Sequence, residues 1–323
     1  MSLFYISLLK YLNNGKIINV KIVKCGISAL TIFLKYVKMT VTDNGCLQYL
    51  LDLMIFGKGC NMKYYVVADV HGYYTYLIKA LEEAGFFEEK EPSKLILCGD
   101  LLDRGNEAKQ LIEFMLDLNK KGRLIYILGN HEELLVQCLQ EIARGDVFEI
   151  ASGMSHHYVN KTWDSLLQIA EMSSVEACND SEELVRRVMR SSFYKELLPT
   201  CVDYYETDNY IFVHGWIPCI TEGLRPYVKY SYDPDWRNAE VQAWRTARWL
   251  NGMELACKHH ITEPKKTVIC GHWHTSYGHA FIERSCREWG KDADFSPFYA
   301  DGIIAIDGSV PNSLKVNCIV IED

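Results

Sequence analysis

Long apolar runs are missing from this sequence. The candidates, such as Ile27 to Leu34, are cut off by lysines and fall far short of the roughly 20 residues a membrane-spanning helix requires, so no membrane span is expected. An uninterrupted apolar stretch followed by a small-residue cleavage site is also missing, which leaves no clear secretory leader. Net positive charge is absent: the formal charge is −8, and generic nucleic-acid binding needs a basic footprint, so none is expected. No CxxC pair occurs. The twelve cysteines stand singly from Cys25 to Cys318, and we expect reduced thiols in a cytoplasmic protein rather than a disulfide framework. Proline is scarce, with 8 residues, and glycine modest, with 21, so with 49% apolar residues the composition is that of a globular chain. Its 323 residues are enough to bury a large core.

What is present divides at Met62. Residues 1–61 carry seven lysines against Asp43 and Asp52, a net of +5, which leaves −13 for the rest. We read 1–61 as an extension outside the catalytic fold, a segment left untranslated in the native protein being one form of that reading, with a basic amphipathic membrane-surface segment as the alternative. From Met62 onward, apolar runs alternate with helical spacing. Tyr64 to Ala68 predicts a buried strand, and Leu77, Leu81 and Ala84 a helix that Gly85 stops. Lys94 to Cys98 and Leu124 to Leu128 repeat the strand pattern. They are followed by helical sets at Leu111, Ile112, Met115 and Leu116, and at Leu134, Leu135, Cys138, Leu139 and Ile142. Such a βαβαβα series predicts a mainly parallel sheet. Residues 145–205 break the rhythm and predict a helical cap insertion. Strand-like runs resume at Tyr210 to Val213, Thr267 to Cys270, Ile303 to Ile306 and Val316 to Ile321. The fold expected for 62–323 is a mixed α/β two-sheet sandwich flanked by helices.

Polar motifs stand at the ends of the predicted strands: Asp69-Val-His71, Gly99-Asp100-Leu-Leu-Asp103-Arg104-Gly105, Gly129-Asn130-His131-Glu132, His214-Gly215 and Gly271-His272-Trp-His274. A DxH string alone is weak, since it arises by chance in roughly one chain in three of this length. A specified GNHE is strong, at about one in a thousand on the same composition. Ligands of α/β sheets gather beyond the carboxyl ends of the strands, which is where these motifs fall. Asp69, His71, Asp100, Asn130, His214, His272 and His274 make a donor set of nitrogen and oxygen without thiolate. That set suits Mn, Fe, Zn, Co or Mg. One ion does not need seven ligands, whereas two ions about 3.5 to 4 Å apart and bridged by a carboxylate do.

Taken together, DVH, GDLLDRG, GNHE, HG and GHWH resemble the calcineurin-like metallophosphoesterases. The GDxxDRG and GNHE pair resembles the phosphoprotein phosphatase (serine/threonine phosphatase) branch in its bacterial type. The resemblance implies that Asp69 and His71, completed by His274, bind one ion, that Asn130, His214 and His272 bind a second, and that Asp100 bridges them. Manganese is the expected metal. It further implies attack by a hydroxide shared between the ions. His131 would be the general acid, Asp103 its carboxylate partner, and Arg104 a phosphate clamp, with Asn130 also meeting substrate. Arg248 and Arg245 are candidates for a second phosphate arginine. The implied activity is hydrolysis of phosphate monoesters, on phosphoproteins first, with a diadenosine tetraphosphatase or other nucleotide-directed hydrolase as the alternative and a non-catalytic metal-binding regulator as a remote one. His274 departs from the phosphatase branch and matches the broader superfamily.

Other residues are read as structural. His156, His157, His259, His260 and His279 are expected at solvated surface, Trp163 and Trp244 in the core, and Trp249 at the substrate mouth or in the core. Gly308, after Asp307, is read as a turn.

Overall fold

The computed structural model describes residues 6–13, 16–23, 62–223 and 228–323. The chain divides into two compact units, residues 1–60 and 61–323. In the first, β1 (Ile6–Asn13) pairs antiparallel with β2 (Lys16–Val23). The remainder of the 1–61 segment, and with it most of the sequence reading made there, lies outside the described residues.

In the second unit the alternation read from the sequence becomes two sheets. β3 (Lys63–Val67), β4 (Ser93–Cys98) and β5 (Leu124–Ile127) run parallel. Between them lie α1 (Tyr74–Glu83) and α2 (Ala108–Lys120), and β5 leads into α3 (Asn130–Arg144). Gly145, at φ 108°, ends α3 in the left-handed conformation that glycine adopts without steric cost. In the second sheet β7 (Tyr210–Phe212), β10 (Thr267–Cys270) and β12 (Ile303–Ala305) are parallel neighbours. Antiparallel edges complete both sheets: β13 (Ile319–Glu322) on β3, β11 (Phe298–Ala300) on β12 and β6 (Tyr205–Glu206) on β7. A separate hairpin joins β8 (Cys219–Glu222) to β9 (Lys229–Tyr232).

The apolar strand runs have a physical cause. Side chains alternate faces along a strand, and here both faces are covered. Tyr65, Val67, Leu95, Leu97 and Tyr126 pack under the helices of the first sheet. Ile211, Val268, Cys270 and Ile303 pack under the outer layer of the second. Between the sheets, Tyr64, Val66, Ile96, Phe212 and Ile269 form a shared middle layer. Strands buried on both sides read as continuous hydrophobic runs. This is the two-sheet α/β architecture expected.

Residues 147–200 hold a run of short helices joined by turns, including Thr162–Ala170 (α4) and Ser181–Arg190 (α5). Trp163, Leu166, Leu184 and Val188 share the core of the first sheet's helices, so this segment is packed into the domain. Among the described residues no helix is long and apolar enough to cross a membrane, and all nine described cysteines are free.

Candidate metal centre

The loops leaving β3 and β4 run side by side. His71 N–H donates to Asp100 O at 3.0 Å and Gly72 N–H to Leu101 O at 2.8 Å. Glu132, buried in the first turn of α3, ties these loops together. It accepts the N–H groups of Gly129, Asp100 and Leu101 at 2.8, 3.0 and 2.9 Å and the Tyr126 hydroxyl at 2.8 Å. Close approach leaves no room for side chains between the motifs: a Cβ on Gly129 would collide with Asp100 and Glu132, and one on Gly271 with Asp69. Asp69, His71, Asp100, Asp103, Arg104 and His272 all adopt positive φ, between 49° and 75°. Such backbone costs of order 1 to 3 kcal/mol per residue and clusters at functional sites.

Asp100 is the centre of the constellation. Its Oδ1 accepts the His131 N–H at 3.0 Å and lies 3.4 Å from His214 Nε2, while its Oδ2 lies 3.7 Å from His71 Nε2 and 3.8 Å from His131 Nε2. Two groups of donor atoms, each within 4.8 Å, share this carboxylate: His71, Asp100 and His131, and Asp100, His214 and His272. Burial alone would raise the Asp100 pKa, but His214, His131 and His71 hold it below the usual carboxylate range. Asp69 is pushed well above that range by burial, by Asp307 and by Asp100. Burial, with His131 beside it, drives His71 well below the ordinary histidine value, and burial with His214 takes His272 down to about 3. Both shifts favour the neutral ring, which keeps a lone pair.

Several features of this donor set fit divalent cations. Asp69 Oδ1 is buried and finds no hydrogen-bond partner among the described residues. His71 Nδ1 and His214 Nδ1 face the carbonyls of Leu102 and Cys98 at 3.1 and 2.8 Å. A carbonyl can only accept, so each ring donates from Nδ1 and presents Nε2 to the site, the pattern of metal-bound histidine. His214 Nε2 then faces Asn130 Oδ1 at 2.7 Å. The Asn130 amide can turn its N–H to the Nε2 lone pair or its oxygen to a cation shared with the ring, and a cation also gives the buried Asp69 Oδ1 a partner.

The structure brings Asp69, His71, Asp100, Asn130, His214 and His272 together. Asp69 and His274 both lie outside the two donor groups, but Asp69 Oδ2 accepts the His272 N–H at 2.9 Å, whereas His274 Nε2 lies 3.0 Å from Glu288 Oε1 and its ring 4.3 Å from Trp289. His131 Nδ1 meets Asp103 Oδ2 at 2.6 Å. Burial lowers the His131 pKa, but Asp100 and the Asp103 hydrogen bond outweigh it and raise the ring above its ordinary value. Arg104 is exposed; burial raises both the Asp69 and Asp307 carboxyls, and the Arg104 charge offsets only part of that rise. Arg248 is buried, with both arms of its fork taken by Glu133 at 2.8 Å and by Asp203. Arg245 is 58% exposed and lies 3.4 Å from Glu133. It lines a cleft of about 1100 Å³ with Asn130, Glu133, Gln137, Tyr230 and Trp249.

Two site residues escaped the sequence reading. Glu132 was quoted within GNHE without a role. Asp307, read only as part of a turn, is buried, accepts the Ser309 N–H at 2.7 Å and raises the Asp69 pKa. It follows β12 as the other acids follow their strands, and that placement was the available signal. Two expected surface histidines are buried instead: His157 Nε2 lies 3.0 Å from Glu141, and His279 lies 2.8 Å from Glu283.

Comparison with known proteins identifies the family. The asymmetrical bis(5'-nucleosyl)-tetraphosphatase PrpE of Bacillus velezensis is 23% identical over 139 residues, 41% of this chain and 51% of that protein. The symmetrical bis(5'-nucleosyl)-tetraphosphatase of Aliivibrio salmonicida is 35% identical over 83 residues, 26% of this chain and 29% of its own. The chain thus spans about half the length, or less, of these curated relatives. A solved protein serine/threonine phosphatase from Saccharomyces cerevisiae aligns over 93% of this chain and 96% of its own, at 9% identity and a TM-score of 0.42, a likeness too loose to carry an argument. The family model described as calcineurin-like phosphoesterase matches residues 62–296, well over half of the sequence, and the chain belongs to that family.

Proposed function

We propose that this protein is a phosphoric ester hydrolase that works with two divalent cations, manganese first, and that its substrate is a nucleoside polyphosphate. The observation that carries the hydrolase reading is the pair of donor groups sharing Asp100; His131, a member of the first group, is hydrogen-bonded to Asp103 and is kept for proton transfer, and Asp69 takes its place as a ligand. Asp69, His71 and Asp100 would hold one cation, and Asp100, Asn130, His214 and His272 the other. When bound, such a pair activates water and neutralises charge developing on the phosphoryl group.

The chain's own residues do the rest. His131 donates a proton from Nε2 to the departing oxygen, and Asp103 receives its Nδ1–H and stabilises the charged ring. Arg104, exposed and near enough for its charge to act on Asp69, His71 and His131, would grip phosphate oxygens with its planar fork. Arg248 is committed to Glu133 and Asp203, so the second phosphate arginine is Arg245, on the open cleft. Trp249 and Tyr230 on that cleft offer faces on which a base can stack, and the relatives named as bis(5'-nucleosyl)-tetraphosphatases support the same substrate class. The second reading, a serine/threonine protein phosphatase, rests on GDLLDRG and GNHE.

The test is turnover by the Mn²⁺-loaded chain of diadenosine tetraphosphate, phosphoserine peptides and p-nitrophenyl phosphate, with Asn130→Ala as control. Metal-dependent hydrolysis of the dinucleotide above the peptides is expected. Preference for the peptides would sink the nucleotide assignment alone. No turnover of any ester by metal-loaded protein would sink the hydrolase.

A further inference from the structure

The carboxylate that partners His131 is itself held from outside the motif. Thr162 and Ser165 lie one turn apart on α4, in the segment that carries none of the family strings, and both are buried. The Thr162 hydroxyl donates to Asp103 Oδ2 at 2.7 Å, and the Asp103 N–H donates to Ser165 Oγ at 2.9 Å. One turn further on, Gln168 Oε1 accepts the Ala108 N–H and its Nε2 donates to Gly105 O, both at 3.1 Å. One face of α4 thus fastens the loop in which Asp103 and Arg104 stand at φ 75° and 65°. Residues in that conformation persist only where their surroundings over-determine them.

We propose that Thr162 is a positioning residue for the general acid, and that Ser165 and Gln168 hold the loop on which it acts. Thr162 and His131 both bond the same oxygen of Asp103, while Asp103 Oδ1 has no hydrogen-bond partner among the described residues. The threonine hydroxyl therefore fixes the rotation of the carboxylate, and with it the direction in which His131 presents Nε2. Without that hydroxyl the carboxylate can turn about its last bond, and the imidazole loses its alignment toward the leaving oxygen. Thr162 touches no substrate. It acts through Asp103, so its contribution scales with how much the leaving group needs a proton.

The proposal rests on His131 being the general acid, and the test separates the two. The full chain, loaded with Mn²⁺, is assayed on phenyl phosphate, whose leaving group needs protonation, and on p-nitrophenyl phosphate, whose leaving group needs it little. Thr162→Val, which keeps the shape and removes the hydroxyl, is expected to lower kcat about 10-fold on phenyl phosphate and about 2-fold or less on p-nitrophenyl phosphate, with KM unchanged, since general-acid assistance as a whole is worth about 10² to 10⁴. Thr162→Ser is expected to restore the phenyl phosphate rate. In metal-free protein labelled with ¹⁵N at histidine, the His131 Nδ1 proton signal is expected in the wild type and lost to exchange in Thr162→Val. Selectivity between esters in His131→Asn but not in Thr162→Val would overturn the positioning role alone, as would an unchanged Nδ1 signal. Equal losses on both esters in His131→Asn, or no turnover of either ester by the wild type, would overturn the general-acid reading and this proposal with it.

Discussion

At the scale of single residues, Asp100 is where the site is most sensitive. Three imidazole nitrogens stand 3.4 to 3.8 Å from its oxygens, and both donor groups include it. Asp100→Asn keeps the shape but removes the charge that both cations need. We expect bound Mn²⁺ to fall below one ion per chain and turnover to drop at least about 100-fold, above the roughly 10- to 100-fold typical of losing an outer-shell partner. Elemental analysis of dialysed protein checks it, and retention of two ions would sink the shared-ligand assignment. Glu132 is different in kind, because it meets only the protein. Glu132→Gln puts an amide donor where a carboxylate oxygen accepts two donors, so we expect a loss of about 2 to 4 kcal/mol, each stranded buried group costing about 1 to 3. Urea unfolding of metal-free protein measures it. The contrast explains what was legible. Asp69, His71, Asp100 and His272 announce themselves because few other roles need those residue types at a strand end. Glu132 holds backbone N–H groups up to 32 residues away in sequence, and no local pattern records that. The neighbours of His274, Glu288 and Trp289, come from a loop whose path the sequence does not disclose.

At the scale of elements, the apolar runs marked the strands but ran past some of their ends. Ala68, Leu128, Val213 and Ile306 lie just past the strand ends, although Val213 and Ile306 still donate their N–H groups to Ile269 and Cys270 of β10 at 3.0 and 2.9 Å before the chain turns to the motif residues. The hairpin of β8 and β9 was missed altogether. It lies mostly exposed, so no buried face imposed an apolar pattern on it. What tethers it is Glu263, 8% exposed in its side chain, which accepts the Tyr232 hydroxyl, the Trp236 Nε1–H and an Arg237 N–H at 2.7, 2.8 and 2.8 Å. Burial would raise its pKa, but these three bonds win and hold it below the ordinary glutamate value. A carboxyl depressed on folding stabilises the protein above its unfolded pKa, about 4.3, and that contribution is lost as pH falls through the folded value. Glu263→Gln should therefore cost about 1 to 3 kcal/mol at neutral pH, and the gap from wild type should narrow as pH drops from about 5 toward 3. Urea midpoints across that range decide it, and a gap independent of pH would show that the charge plays no part.

At the scale of the whole molecule, the unit from Asn61 closes on itself. Its last strand, β13, pairs with its first, β3, and Met62 and Asp323 exchange backbone hydrogen bonds at 3.1 and 3.2 Å. Every described core residue lies between Tyr64 and Ile321. The donors come from both sheets: Asp69, His71, Asp100 and Asn130 follow strands of the first, and His214 and His272 follow strands of the second. Bound cations would bridge the two sheets, as the middle layer of apolar side chains already does. Anything that binds the folded state alone stabilises it by mass action, by about 2.7 kcal/mol when free ligand stands at 100 times its dissociation constant. For a domain larger than about 150 residues that corresponds to a rise in Tm of several degrees. A chain beginning at Met62 should therefore show the same Mn²⁺-dependent rise in Tm as the full chain, and the rise should vanish in Asp100→Asn. Thermal unfolding followed across a Mn²⁺ titration tests both halves. A shorter chain that melts lower without metal would place residues 1–61 inside the cooperative fold, whereas a rise that survives in Asp100→Asn would mean that the stabilising cations bind somewhere other than between the sheets.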